Sequence, residues 1–382
     1  MRSSRAAVFF ILLFSYAYFF GGSGFNQNAT FDLARSLVER QSLNIDPYVS
    51  NTADVSFHEG HAYSNKAPGL AFAAAVPYAL LYAMYGAPDN ALELNLFLYA
   101  CTVVVCGVSG ALIGVLLCRY SPLIALLVGF GTPVFAYSTM LFAHVPAALC
   151  VLLAYLLLKE RRDAAAGAAI GAAVFINYLC APLAVLMLFF AGRKLRYLAG
   201  GLPFAIALAA YQLAAFGSPF RTSIETMNPA FIEQGALLGI FHLPRLDALW
   251  GITFSPYRGL FYLSPILLLA LAGLRDRLIW IAFGVLLLLN ASFNGWHGGY
   301  AVGARYLIPV IPLLAIGLKD LLHARIFLIA ASAISILFNV AVTVVDPQPP
   351  DSLQDPVGRY AIPALVTGRA VPDEKAPWLA EL

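Results

Sequence analysis

The polar residues that follow the first apolar segment carry most of the reactive groups of this chain. They include carboxylates, amides, histidines, a tyrosine, an arginine and a lysine: Asn26, Gln27, Asn28, Asp32, Arg35, Glu39, Asp46, Asp54, His58, Glu59, His61, Tyr63 and Lys66. A positioned carboxylate can accept a proton from a hydroxyl group, and cations bind phosphate. This combination is typical of a site that binds an anionic lipid headgroup together with a polar partner.

Four later residues are further candidates for the same site. His144 opens an apolar segment, and Arg258 and Arg305 stand at the entrances of two others. Trp296 lies in a glycine-rich loop, where the backbone can approach a ligand and an aromatic ring offers a flat apolar face. His144, Arg258 and Arg305 also have a structural interpretation, because a histidine at a segment end can be a simple hydrogen-bonding group and an arginine there can reach the headgroups.

The composition indicates a polytopic membrane protein. Of the 382 residues 61% are hydrophobic and 11% are charged, and the net charge of +3 is too small and too scattered to indicate nucleic-acid binding. The five cysteines lie in apolar segments without metal-type or disulfide-framework spacing. Phosphate-loop, dinucleotide-binding, HExxH and GxSxG motifs are absent from the sequence. We therefore expect neither a metal nor a cofactor.

Hydropathy predicts an all-α bundle of about eleven transmembrane helices. The basic start and apolar centre of the first segment are also typical of a cleaved signal peptide, but no A-x-A cleavage site follows and many further spans do, so we predict an uncleaved first span. Several segments are shorter than the roughly 20 residues of a straight span, so some must be tilted, broken or buried in protein. The later segments lie near 93–118, 121–138, 144–158, 164–178, 181–192, 198–216, 260–274, 278–293, 306–318 and 326–345.

A surplus apolar segment, 67–86, decides the orientation of everything after it. If this segment enters and leaves the membrane on the outside, nearly all basic loop residues become cytoplasmic, as the positive-inside rule requires. We therefore predict a cytoplasmic N-terminus, a membrane domain over 1–345, a first external loop over 22–92 with an embedded helix at 67–86, and an external tail over 346–382. The residues that decide this are Arg119, Lys159, Arg161, Arg162, Arg193, Lys194, Arg196, Arg275, Arg277, Lys319 and Arg325.

The first external loop also contains an amphipathic pattern. TFDLARSLVERQ places apolar residues at helical spacing behind Thr30, which predicts a helix over 30–41 that is capped by Thr30 and lies along the membrane surface. In the ordinary interpretation, Asp32 complements the N-terminus of this helix and pairs with Arg35.

Two short elements suggest a family. Y-x-x-K-x-P is formed by Tyr63, Lys66 and Pro68, and R-Y-x-x-P is formed by Arg305, Tyr306 and Pro309. Together with FNQNATFDLARSLVERQSLNID and FSPYRGLFYLSP, they resemble the GT-C superfamily of integral-membrane glycosyltransferases over residues 1 to about 320. The chain looks most similar to bacterial phospholipid-carrier-dependent relatives of the dolichyl-phosphate-mannose protein mannosyltransferases and of the lipid A aminoarabinose transferase.

The resemblance implies a reaction. A sugar would pass, with inversion, from a polyprenyl-phosphate donor to a glycan, lipid or protein acceptor on the external face of a bacterial inner membrane. A carboxylate of the first external loop would deprotonate the acceptor, and Lys66 would inherit the role of holding the donor phosphate.

One departure from the family bears on the base. Many relatives carry Asp-Glu where this chain has Asn26 and Gln27, and an amide cannot act as a base. Asp32 is the favoured substitute because it lies on the predicted surface helix, and Asp46, Asp54 and Glu59 stay open. The alternatives to a transferase are a transporter or flippase of a lipid-linked sugar and an inactive lipid-binding paralogue.

Overall fold

The computed structural model describes residues 2–323 and 325–368, and these residues are mostly helical. The helices, numbered along the chain, are α1 Arg2–Tyr18, α2 Phe25–Glu39, α3 Gly69–Tyr85, α4 Ala91–Thr102, α5 Val108–Leu117, α6 Pro122–Gly131, α7 Val134–Ser138, α8 His144–Lys159, α9 Asp163–Ile176, α10 Ala181–Phe190, α11 Lys194–Phe216, α12 Leu246–Thr253, α13 Leu260–Leu263, α14 Pro265–Gly273, α15 Arg277–Ser292, α16 Ile311–Leu314, α17 Arg325–Val345 and α18 Ile362–Thr367.

Short 3₁₀ and π segments link or extend these helices. The 3₁₀ segments are Asp46–Asn51, Tyr178–Cys180, Ser223–Thr226, Pro229–Phe231, Arg305–Val310 and Ala315–Leu321. The π segments are Val103–Gly107 and Val357–Ala361. Two strands, β1 Val55–His58 and β2 His61–Ser64, form an antiparallel hairpin.

Three helices of the described chain are long and apolar enough to cross a membrane: Ala91–Leu117, Lys194–Phe216 and Ile326–Val345. The first of these combines α4, the π segment and α5. The shorter apolar helices are Ser3–Tyr18, Gly69–Tyr85, Pro122–Gly131, His144–Lys159, Asp163–Ile176, Tyr178–Phe190 and Arg277–Ser292. The expected all-α architecture is therefore confirmed at this coarse level, and the number of eleven crossings stays a prediction.

The described residues divide into two compact units, each assembled from separate parts of the chain. The first unit contains residues 2–21, 107–139 and, apart from residue 324, 242–368; the second unit contains residues 22–106 and 140–241. Part of the predicted tail, 346–368, belongs to the first unit, and the remainder of that tail lies outside the described residues.

The core of the first unit depends on close helix contacts. Tyr16 of α1 donates a hydrogen bond from its hydroxyl to the Gly129 carbonyl of α6 at 3.2 Å. A methyl group added at Gly129 would overlap the side chain of Leu12. Small residues permit this approach because they bring helix backbones together.

The second unit contains an equally close pair, α9 and α11. A Cβ atom at Gly167 of α9 would overlap the Tyr197 carbonyl of α11, and one at Gly200 would overlap the Ala164 carbonyl. Glycine is therefore required at both positions because the two helices pack so closely, and not because of the backbone conformation.

The helix of the predicted first external loop differs from the one that the sequence indicated. α2 begins at Phe25 after Gly24, and the Thr30 hydroxyl donates to the Asn26 carbonyl at 3.1 Å, so Thr30 is not the N-cap. Residues 27–34 and 36 of α2 are buried, whereas a helix on a membrane surface would expose its polar side. Arg35 pairs with Glu39 at 3.0 Å rather than with Asp32. These three predictions were wrong.

The histidine-rich stretch folds into the β1–β2 hairpin, which the sequence analysis did not predict. Val55 pairs with Ser64, and His58 pairs with His61. Glu59 and Gly60 connect the strands with φ angles of 49° and 83°. Two positive φ angles in a two-residue loop define a type I′ turn, which matches the twist of the strands. The helix expected at 67–86 is present as α3 over Gly69–Tyr85.

Candidate functional site

A lysine and a carboxylate meet at the base of the hairpin. Lys66 Nζ lies 2.9 Å from Asp54 Oδ1, and the side chains are 25% and 16% exposed. Asn65 donates to Asp54 Oδ1 from its side-chain amide at 3.3 Å and to the Asp54 carbonyl from its backbone amide at 3.2 Å. The ends of the hairpin thus hold a cation and a carboxylate together with partial access to solvent.

A later part of the second unit fixes this hairpin. Ser56 donates from its hydroxyl to the Ser223 carbonyl at 2.6 Å, and Ser223 donates from its hydroxyl to the Asn65 carbonyl at 3.0 Å. The Asn228 amide donates to the Val55 carbonyl at 2.8 Å. These bonds hold β1 and the residue that precedes Lys66, so the backbone next to both members of the ion pair is anchored.

Tyr63 of the predicted Y-x-x-K-x-P element lies on β2, three residues before Lys66. Its ring lies 5.3 Å from that of Phe216 at the end of α11, and the His58 ring lies 6.2 Å from the same phenyl ring. Burial raises the pKa of Tyr63, and the negative charges of Asp46 and Glu59 raise it further. The phenol therefore stays protonated and can donate a hydrogen bond.

Asp46 and His61 form a separate, more exposed pair. His61 Nδ1 lies 2.7 Å from Asp46 Oδ2, and the Ala62 amide donates to Asp46 Oδ1 at 2.7 Å. Burial alone would raise the pKa of Asp46, but the bonds from Ala62 and His61 outweigh it and the pKa is lowered. A carboxylate with a lowered pKa is a weaker base, so this pair is suited to holding the loop against β2.

Asp32 lies in the interior of the second unit with no solvent exposure. The Asn51 side-chain amide donates to Asp32 Oδ1 at 3.2 Å, and the Asn28 side-chain amide donates to the Asn51 carbonyl at 2.8 Å. Burial raises the pKa of Asp32 well above its usual range, despite the opposing effects of Asn51 and Arg35. Within the described residues Asp32 Oδ2 has no hydrogen-bond partner.

Asn26 and Gln27, which stand where the resemblance led us to expect Asp-Glu, differ in exposure. Gln27 is fully buried, and both polar atoms of its side chain are without a partner in the described chain. Asn26 is half-buried and its carbonyl accepts the bond from Thr30. Glu59, at the tip of the hairpin, is 82% exposed and lies 3.8 Å from His58 Nε2.

His144, at the start of α8, has a structural environment in the second unit. It is 5% exposed, its Nδ1 lies 3.2 Å from the Asn177 side-chain amide, and its ring stacks on Phe142 with the centroids 5.9 Å apart. This bond connects the start of α8 to the end of α9, which favours the structural interpretation of His144.

Arg258 is the largest fully buried side chain among the described residues of the first unit. It donates from Nε to the His297 carbonyl and from Nη2 to the Gly299 carbonyl, both at 3.0 Å, and its guanidinium lies 4.1 Å from the centre of the Tyr257 ring. Burial lowers the pKa of Arg258 from its usual value. These bonds make Arg258 the centre around which the glycine-rich loop folds, rather than a cation that reaches headgroups.

Trp296 and Arg305 lie on the same glycine-rich loop of the first unit. The Trp296 ring packs against Gly251, where an added Cβ atom would overlap it. Arg305 donates from Nη2 to the Tyr306 hydroxyl at 2.9 Å and lies over the ring of Tyr306 at 4.8 Å. The structure therefore gathers Arg258, Trp296 and Arg305 in the first unit, whereas the other predicted site residues belong to the second.

Asn51, Asn65 and Ser223 are polar partners that sequence reasoning missed. Ser223 and Asn65 are separated by 158 positions, and no motif in the sequence relates them. Among the described residues, no group of three or more histidine, cysteine, aspartate or glutamate side chains is arranged to hold a metal ion.

The chain matches no protein-family model, no curated protein and no solved structure. The fold and the site together define a mostly helical protein with three candidate membrane-crossing helices and a part-buried lysine–aspartate pair on a braced hairpin. Any functional conclusion therefore depends on the chemistry of these residues.

Proposed function

We propose that this protein is a polytopic membrane transferase that moves a sugar from a polyprenyl-phosphate carrier to an acceptor on the external face of a bacterial inner membrane. The observation that carries the proposal is the 2.9 Å contact between Lys66 and Asp54. An ammonium group can bind phosphate and a carboxylate can accept a proton, and such a transfer requires both groups. The resemblance of the elements around Tyr63 and Arg305 to GT-C enzymes supports the same reaction.

In this mechanism the Lys66 side chain leaves Asp54 and pairs with the donor phosphate. An ammonium group binds phosphate as a point charge, and an opposite charge that moves away leaves a carboxylate more basic. Asp54 then accepts the proton of the acceptor hydroxyl while the hydroxyl oxygen forms a bond to the anomeric carbon. The bond from that carbon to the phosphate oxygen breaks, and its electron pair leaves with the polyprenyl phosphate. A single displacement of this kind inverts the anomeric centre.

Asp54 fits the role of base better than the other carboxylates of the loop. Asp32 has no exposure, Asp46 has a lowered pKa because of Ala62 and His61, and Glu59 stands at the exposed tip of a turn. Among these four, Asp54 is the one that is partly exposed and lies beside a lysine, the cation that the resemblance assigns to the donor phosphate. Asp32 becomes a structural residue in this proposal.

The proposed topology has a cytoplasmic N-terminus, about eleven crossings and α3 embedded with both ends outside. The distribution of lysine and arginine supports it. Cysteines introduced at the exposed positions Glu59 and Asp89, which flank α3, should be labelled from the same, external side by a membrane-impermeant reagent. Labelling of the two positions from opposite sides would mean that α3 crosses the membrane, and it would overturn the topology.

The transfer itself is tested with the purified full-length protein. We would incubate it with a panel of radiolabelled polyprenyl-phosphate sugars and cell-envelope fractions, with Asp54→Asn as the inactive control. Transfer of label by the wild type and its loss in Asp54→Asn is the expected result. Donor binding without transfer to any fraction, in both proteins, would count against a transferase and favour a transporter or a lipid-binding protein.

A further inference from the structure

A long apolar groove lies in the second unit along α9, α10 and α11, with a volume of about 550 Å³. Only Tyr197 and Gln212, of the lining residues in the described chain, have polar side chains, and the Tyr197 hydroxyl donates to the Ala184 carbonyl at 2.7 Å. Representative wall residues are Gly171, Val174, Val185, Leu188, Leu198 and Leu208. The groove therefore suits a hydrocarbon ligand rather than a polar one.

The dimensions of the groove fit one chain of a lipid. Its lining follows α11 from Tyr197 to Gln212, which at 1.5 Å per residue is about 22 Å. This exceeds half of the roughly 30 Å hydrocarbon thickness of a bilayer. α11 is a candidate membrane-crossing helix, and its apolar residues Leu202 and Ile206 are 55% and 59% exposed.

Basic residues are concentrated at the end of the groove that Tyr197 lines. Two loops meet there because the Asp163 carboxylate accepts hydrogen bonds from the Gly192 amide at 3.2 Å and the Arg193 amide at 2.8 Å. Glu160 lies 4.0 Å from Arg162, so one acidic group opposes one of the cations. Basic residues outnumber acidic ones in these loops and at the helix ends beside them. The basic residues are Lys159, Arg161, Arg162, Arg193, Lys194 and Arg196.

We infer that this groove binds an anionic phospholipid, with one acyl chain between α10 and α11 and the phosphate at Arg193, Lys194 and Arg196. These three side chains are exposed at the start of α11. Guanidinium groups bind phosphate through paired hydrogen bonds, and basic pockets between membrane helices select anionic headgroups. The charge at the end of the groove thus specifies the headgroup, and the apolar walls specify the chain. The inference does not depend on the proposed transferase activity.

The headgroup is tested by native mass spectrometry of the purified full-length protein titrated with phosphatidylglycerol and, separately, with phosphatidylcholine of the same acyl chains. We expect phosphatidylglycerol to bind at least tenfold more tightly. The double variant Arg193→Gln and Arg196→Gln should abolish this preference. Arg275→Gln with Arg277→Gln, which removes the same charge from a different loop, should preserve it.

The groove is tested separately by filling it. Ala205 of α11 lines the groove and is exposed, so Ala205→Phe should block the chain without disturbing the fold. Ala207→Phe places the same side chain on an exposed position of α11 outside the lining and serves as the control. We expect phosphatidylglycerol retention to fall at least tenfold in the first variant only.

Three results would overturn the inference. Equal binding of the two phospholipids would remove the role of the basic residues, and unchanged retention in Ala205→Phe would remove the groove. Displacement of phosphatidylglycerol by a polyprenyl phosphate at lower concentration, with the same sensitivity to Ala205→Phe, would assign the groove to an isoprenoid chain instead.

Discussion

Asp54 and Asp32 are both carboxylates of the second unit, but one is partly exposed and the other is fully buried. Asp54 lies at the edge of the hairpin, 2.9 Å from a lysine and 16% exposed, whereas Asp32 is fully buried with one amide as its hydrogen-bond partner. A carboxylate that must exchange protons with a substrate needs access and a partner that can leave it. The comparison therefore separates a residue suited to chemistry from one suited to holding α2 in place.

The largest effect is expected for Asp54→Asn, which keeps the size of the side chain and removes its basicity. Loss of a positioned general base lowers turnover by about 10²- to 10⁴-fold. We expect a fall of at least about 100-fold with donor binding preserved, measured as sugar transfer and donor affinity in parallel. Glu59→Gln, which alters the exposed turn, is the control and should leave turnover unchanged. Near-normal turnover in Asp54→Asn would move the base to another carboxylate.

The next effect concerns Lys66. A hydrogen bond to a charged group contributes about 1.5–3 kcal/mol, so Lys66→Ala should weaken donor binding by about 10- to 100-fold. Lys66→Arg should restore only part of the affinity, because guanidinium and ammonium groups present their donors differently. Titration with a polyprenyl-phosphate sugar measures both variants, and Lys319→Ala, at an exposed lysine, is the control. Wild-type affinity in Lys66→Ala would exclude this residue from the donor site.

The sequence predicted the helical framework better than the site. The 67–86 helix was found because its apolar run is long, and α3 occupies nearly the same residues. The hairpin was missed because its strands have four residues each and its Glu-Gly turn lacks the asparagine-glycine or aspartate-glycine pattern of the clearest type I′ turns.

Pairing of side chains was even less accessible to sequence reasoning. Lys66 and Asp54 were both predicted as site residues, but nothing in a 12-residue separation indicates an ion pair across a hairpin that was not foreseen. Asp32 was favoured because helical spacing suggested a surface helix, and burial by the rest of the second unit decided otherwise. The bond between Ser223 and Asn65 depends on tertiary structure alone.

The Asp32 side of the comparison is tested by Asp32→Asn, which should leave turnover nearly unchanged and alter stability with pH. Because the pKa of Asp32 is raised in the folded protein, its contribution to stability is complete below the usual carboxyl pKa of about 3.9 and is lost as the pH rises through the raised value. The variant lacks this loss, so its Tm relative to wild type should increase as the pH rises.

Thermal unfolding in detergent at several pH values measures this difference for Asp32→Asn. Asp89→Asn, the same substitution at an exposed carboxylate, provides the control. A Tm difference that does not change with pH would show that Asp32 is ionised in the folded protein. A collapse of turnover in Asp32→Asn would restore it as the base.

The smallest effect is expected for Asp46, whose charge supports a half-exposed pair. The bonds from Ala62 and His61 lower its pKa despite burial, so its contribution to stability is present above about pH 3.9, the unfolded value, and is lost as the pH falls through the lowered folded value. Exposed ion pairs contribute about 0.2–1 kcal/mol, because solvent screens them. Asp46→Asn should therefore lower Tm slightly at pH 6, and the difference should shrink in acid, where wild-type Asp46 also loses its charge. His61→Gln should reproduce the loss at pH 6 if the pair is its cause, and turnover should persist in both variants. A collapse of turnover in Asp46→Asn, with Asp54→Asn still active, would reverse the comparison and place the base at the exposed pair.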